Sequence, residues 1–196
     1  VPIRFARPPA GADAVVQSAL DRSATVPVSQ RNALAGTEPG RLEPTTPHPV
    51  HTLGLTDVVD GSGLDAAPRT GWRYLLREGD GTPVSAEATA GGGDVPEEFS
   101  HFNQGPFVAS TVAAVPRAEN LPEVRDHDYE LRTLVIPALH TMALWLHGDD
   151  DLLLPLEPVP AGLDADRTYR PDEFLGALRD RARQVPQLAP DDTRGG

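Results

Sequence analysis

Leu134–Leu156 reads LVIPALHTMALWLHGDDDLLLPL, the most apolar stretch of the chain, broken by Pro137 and by the polar island His147-Gly-Asp-Asp-Asp151. Two readings compete. As a helix, Pro137 stands in the first turn, Leu139, Met142, Ala143 and Leu146 recur at i, i+3, i+4 and i+7, and Gly148 stops the element. As strands, Tyr129–Ile136 and Thr141–His147 flank a bend at Pro137, and the island is a turn into Leu152–Leu156. The strand reading is adopted, because segments apolar on both sides suit central strands covered on both faces. In either reading the island is structural. Three consecutive carboxylates do not alternate as the ligands of a calcium loop do.

Upstream, Trp72–Ala90 reads as a hairpin turning at Glu78-Gly-Asp-Gly81, with Trp72, Tyr74 and Leu76 on one face and Arg73, Leu75 and Arg77 on the other. Phe107, Val108, Thr111, Val112 and Val115 recur at helical spacing after Pro106, and Pro116 or Pro122 is expected to end or bend that helix. A second helix begins at Pro171, where Phe174, Leu175, Leu178 and Ala182 form the apolar stripe. Arg179, Arg181 and Arg183 complement its C-terminal dipole.

Residues 1–70 are rich in turn formers (RPPAGAD, GTEPG, EPTTPHPVH, DGSG), with one short helix at Asp13–Arg22 and an edge strand available in VHTLGL at 50–55. The expected architecture is α+β. An antiparallel sheet, made of the Trp72–Ala90 hairpin and the Tyr129–Leu156 meander, is packed by two helices. A proline-rich arm (1–70) covers this domain (71–186) or docks on a partner, and a tail (187–196) follows.

The chain has 196 residues, 39% of them hydrophobic, enough for one packed core. Its 18 glycines and 21 prolines exceed the usual share, proline by about twofold, so loops are long. Arginine supplies all 17 basic positions, the mark of a GC-rich bacterial genome rather than of anion recognition, and the formal charge is -12. That balance argues against nucleic acid and anionic membranes as partners. No cysteine is present, which excludes disulfides, thiolate nucleophiles and cysteine-based metal sites. The N-terminal stretch lacks a signal-like apolar region and no run is long enough to span a bilayer, so a soluble, cytoplasmic protein is expected.

Reactive constellations are weak. His48 and His51, in HPVH, are the metal candidates, but prolines around them favour an extended segment. His127 lies between Asp126 and Asp128, an arrangement open to general-base work. In EEFSHFNQGPF, three of the five phenylalanines (Phe99, Phe102 and Phe107) bracket Ser100, His101, Asn103 and Gln104. This loop is the first place to look for a small-molecule site, with His101 and Asn103 at its rim and Trp72 and Tyr74 as walls. TAGGGD lacks the frame of a phosphate loop, and GSG at 61–63 that of a nucleophile elbow. No cofactor, catalytic residue or metal ligand set is implied. The leading expectation is a non-catalytic accessory or scaffold protein acting through a protein partner or self-association. The rivals are a small-molecule-binding or hydrolytic enzyme using His101 or His127 with carboxylates, and a metal-binding domain using His48 and His51.

Overall fold

The computed structural model describes residues 3–25, 34, 36–77, 84–89 and 98–185. The apolar stretch folds as strands. β6 (Tyr129–Ile136) runs to Pro137, which has no N–H to continue a ladder. Pro137–Leu139 makes one 3-10 turn, closed by the His140 N–H on the Pro137 carbonyl at 3.0 Å. β7 (Thr141–His147) returns antiparallel from Ile136↔Thr141 to Glu130↔His147. The island turns the chain into β8 (Leu152–Pro155), paired from Leu146↔Leu152 to Ala143↔Pro155.

The hairpin strands are β3 (Arg69–Arg77) and β4 (Val84–Thr89), antiparallel from Gly71↔Thr89 to Leu76↔Val84. Their turn at 78–81, the glycine run at 91–93 and the tail at 187–196 lie outside the described residues. A further strand, β5 (Glu98–Asn103), pairs antiparallel with β4.

The expected antiparallel sheet is in fact mixed. β1 (Ile3–Phe5) and β2 (Glu43–Thr52) both come from the proline-rich N-terminal segment, and both run parallel to β6. The order is β5-β4-β3-β2-β6-β7-β8, with β1 beside β6 off this path. Val50–Thr52 is thus central, not an edge strand. Prolines normally exclude a segment from a central position, and here they keep to the part of β2 that has one neighbour. Pro44 and Pro49 pair with β3 alone, and Pro47 sits where the ladder shifts between Thr45 and His48, beside Thr46 at φ +51°. Only Val50, His51 and Thr52, which contain no proline, also pair with β6. The sheet therefore forks, and β1 and β2 occupy successive lengths of one edge of β6.

Among the described residues five helices pack on the sheet, where two were expected. α1 (Ala10–Thr25) buries Ala12, Val16 and Leu20 against Trp72, Tyr74 and Leu76, so part of the N-terminal segment is core. α2 (Leu55–Asp60) and α5 (Pro171–Gln184) cover Leu134, Ile136, Ala143, Trp145 and Leu153 on the same face. α3 (Pro106–Glu119) and α4 (Pro122–Arg125) cover the opposite face, where Leu131, Leu144, Leu146, Leu152 and Leu154 meet Ala114, Ala118 and Val124. α3 continues through Pro116, and Pro122 opens α4 instead of ending α3. None of the helices among the described residues is long and apolar enough to cross a membrane.

Candidate functional site

Antiparallel pairing of Glu130 with His147 sets the residues leading into β6 beside those leaving β7. Asp126, His127 and Asp128 thereby face the turn Gly148–Asp150 across an open groove of about 640 Å³. Gly148 is required at that junction: a Cβ there would stand 2.9 Å from Cδ1 of the buried Tyr129 ring and 3.1 Å from the Asp128 carbonyl oxygen. Arg4, aligned with Glu130 on β1, completes one wall together with Arg132.

Hydrogen bonds fix the island. Asp151 Oδ1 accepts from the Gly148 N–H at 3.2 Å and from His147 Nδ1 at 2.9 Å. With the Nδ1 proton in that bond, His147 Nε2 presents a lone pair. The ring of His147 stands edge-on to Trp145, with centroids 5.6 Å apart. Asp150 pairs with Arg170 at 2.8 Å, tying the turn to the start of α5. Arg132 donates from Nε to Glu130 at 2.8 Å and lies over the Trp145 ring at 5.0 Å. Burial pushes the Tyr129 phenol above its ordinary value; neighbouring Asp150, Glu123 and Asp151 add to this and Arg170 opposes it. Among the described residues the groove thus gathers five carboxylates (Asp126, Asp128, Glu130, Asp149 and Asp150) against two arginines, with the Tyr129 phenol beside them.

The residues expected to share a pocket do not converge. In register, Trp72, Ala88 and Phe99 lie side by side, as do Tyr74, Ala86 and Phe102. Arg73, Glu87 and His101 form the neighbouring row, with Leu75, Ser85 and Asn103 beyond it. Alternation along a strand therefore puts Trp72 and Tyr74 on one face and His101 and Asn103 on the other. A register shift at Ser100 and His101 explains how Phe99 and Phe102, three apart, meet with centroids 4.7 Å apart. Trp72 and Tyr74 are core residues under α1, and the Tyr74 hydroxyl donates to Asp13 at 2.8 Å. His101 is exposed, its Nδ1 2.8 Å from Ser100 Oγ.

His48 and His51 also separate, being three apart on a regular strand. His48 is fully buried on the α3 face, where its Nδ1–H donates to the Thr46 carbonyl at 2.7 Å. His51 is half-buried on the opposite face and donates from Nδ1 to the Ala67 carbonyl at 2.9 Å. They do not share a ligand, and no group of three or more His, Asp or Glu side chains among the described residues is placed to hold a metal ion. His127 does line the groove, its ring 6.2 Å from that of Tyr129. The segments RDHDYE and HGDDD, unremarkable separately, make one site through the β6–β7 register.

Fold and groove together define an α+β protein with a mixed sheet and an acidic cleft at one end of it. Comparison of the chain with family models, curated proteins and solved structures finds no match.

Proposed function

We propose that the protein acts without catalysis, through contact with a protein partner whose basic segment docks in the groove. The observation behind this reading is the convergence of Asp126, Asp128, Glu130, Asp149 and Asp150 from two loops on one cleft, in a chain of net charge -12. A negative cleft on a negative protein attracts cationic segments and speeds their encounter. Such a partner is a second protein in the cytoplasm of a bacterium, self-association being the other form of contact.

A fluorescent arginine-rich peptide serves as the probe. The reading expects saturable binding that weakens at least tenfold in an Asp126→Asn, Asp128→Asn, Asp149→Asn variant and falls steeply with added salt. Equal affinity for the variant and the parent protein would refute the groove as the docking site.

One arrangement favours hydrolysis as a second reading. Asp151 orients His147 through Nδ1 and leaves its Nε2 lone pair available, as a general base requires. Cleavage of 4-nitrophenyl acetate that persists undiminished in His147→Gln would eliminate it.

A further inference from the structure

The middle of the α5 face carries a different electrostatic feature. His51 on β2 is the direct cross-strand partner of Arg69 on β3. On its other side His51 aligns with Leu134, two residues along the same face from Arg132 on β6. Each arginine lies over an indole: the Arg69 guanidinium carbon is 5.5 Å from the Trp72 ring centroid, and that of Arg132 is 5.0 Å from the Trp145 centroid. His51 packs edge-on to the same Trp145, with centroids 5.0 Å apart. Pro49, the cross-strand partner of Trp72 and the neighbour of Val50, lies between the two indoles on β2.

Stacking on tryptophan holds a guanidinium in place while leaving its N–H edges free to donate. Arg69 is exposed and has no ion-pair partner among the described residues. Arg132 gives only its Nε to Glu130, so both of its terminal nitrogens remain available. The His51 ring is fixed by the Ala67 carbonyl on Nδ1, which leaves Nε2 for a ligand. Both indole N–H groups are buried and make no protein hydrogen bond.

We infer that Arg69, Arg132 and His51 form a notch for a phosphoryl group, the two guanidiniums donating to its oxygens from opposite sides above Pro49. Two positioned arginines match the geometry and charge of a phosphate monoester, which is largely dianionic at neutral pH. Burial lowers the proton affinity of His51 and the Arg132 and Arg69 charges lower it further, while the bond to the Ala67 carbonyl and the Glu130 charge oppose them. A bound dianion opposes that lowering and makes the imidazole a third donor. The notch adjoins the acidic groove and shares Arg132 with it.

Inorganic phosphate, phosphoserine and serine are titrated into the full chain, following tryptophan emission and the His51 imidazole signals by NMR. The inference expects saturable changes with phosphate and phosphoserine but not with serine, and an upward move of the His51 titration when phosphate is bound. Tighter binding of phosphoserine points to a phosphorylated ligand, tighter binding of inorganic phosphate to the free ion. Arg69→Gln, an exposed substitution, raises Kd at least tenfold, and Arg181→Gln on α5 leaves it unchanged. Absence of a saturable response, or equal weakening in both variants, overturns the assignment.

Discussion

Acid should destabilise this protein through one buried side chain before most carboxylates titrate. His48 is wholly enclosed, and its pKa falls from the ordinary 6.5 to about 4. Burial is the main cause and Arg73 adds to it, while the bond to the Thr46 carbonyl acts in the opposite sense. Because the folded value lies below the unfolded one, the unfolded chain takes up the proton first as pH falls. The stability held above the unfolded value is lost at up to roughly 1.4 kcal/mol per pH unit down to the folded value, where the loss levels off. Between about pH 7.5 and about pH 5 the linkage integral gives a loss of about 2 kcal/mol. With a urea slope of about 2 kcal/mol per molar, the unfolding midpoint drops by about 1 M. Trp72 and Trp145, both buried, report the transition by fluorescence. His48→Asn keeps an N–H donor near Thr46 without the titration, and should leave only the smaller contribution of His51, whose shift has the same sign. A wild-type midpoint that does not move over this range, or a His48→Asn protein that keeps the whole difference, refutes the reasoning.

Three further substitutions test the packing. Gly148→Ala forces a methyl group onto Tyr129 and the Asp128 carbonyl; overpacking of this kind costs about 1–3 kcal/mol, or roughly 2–4 °C of Tm per kcal/mol in a chain of this size, measurable by calorimetry. Thr133→Val should raise Tm, because the Thr133 hydroxyl is buried and makes no protein hydrogen bond, so removing it relieves a desolvation cost of about 1 kcal/mol. Leu144→Ala empties a fully enclosed site between β6, β8 and α3, and should cost about 2–5 kcal/mol in urea unfolding; a loss below about 1 kcal/mol would contradict the packing described.

Strands and helices were legible in the sequence where local chemistry and tertiary packing agree. Pro137 and the aspartate run punctuate the apolar stretch at the points where β6, β7 and β8 begin and end, and the Phe174–Ala182 stripe marks α5. β2 was not legible, because Pro44, Pro47 and Pro49 argue locally against a sheet interior. What makes them admissible is a fork in the sheet, which depends on a strand some eighty residues later. The groove was hidden for a related reason. Its carboxylates occupy two loops that each look like a solvated turn, and only the Glu130↔His147 register joins them. His101 and Trp72 misled in the opposite direction: a loop bracketed by phenylalanines suggests a pocket rim beside the hairpin, whereas strand parity separates the two residues.

The fork also dictates an order of assembly. During synthesis β1, β2 and the β3–β4–β5 strands all emerge before β6, yet β1 and the inner end of β2 have no ladder on that side until residues 129–136 arrive. β6 is thus the seam of the sheet, joining β1 and β2 to β7 and, through β7, to β8, and its pairings span most of the chain. A nascent chain ending before Tyr129 holds open strand edges and α1 packed on an unfinished sheet. Such long-range closure slows folding and leaves the growing chain exposed to mispairing. The first two-thirds of this protein therefore carries strand edges that stay unpaired until β6 closes the sheet.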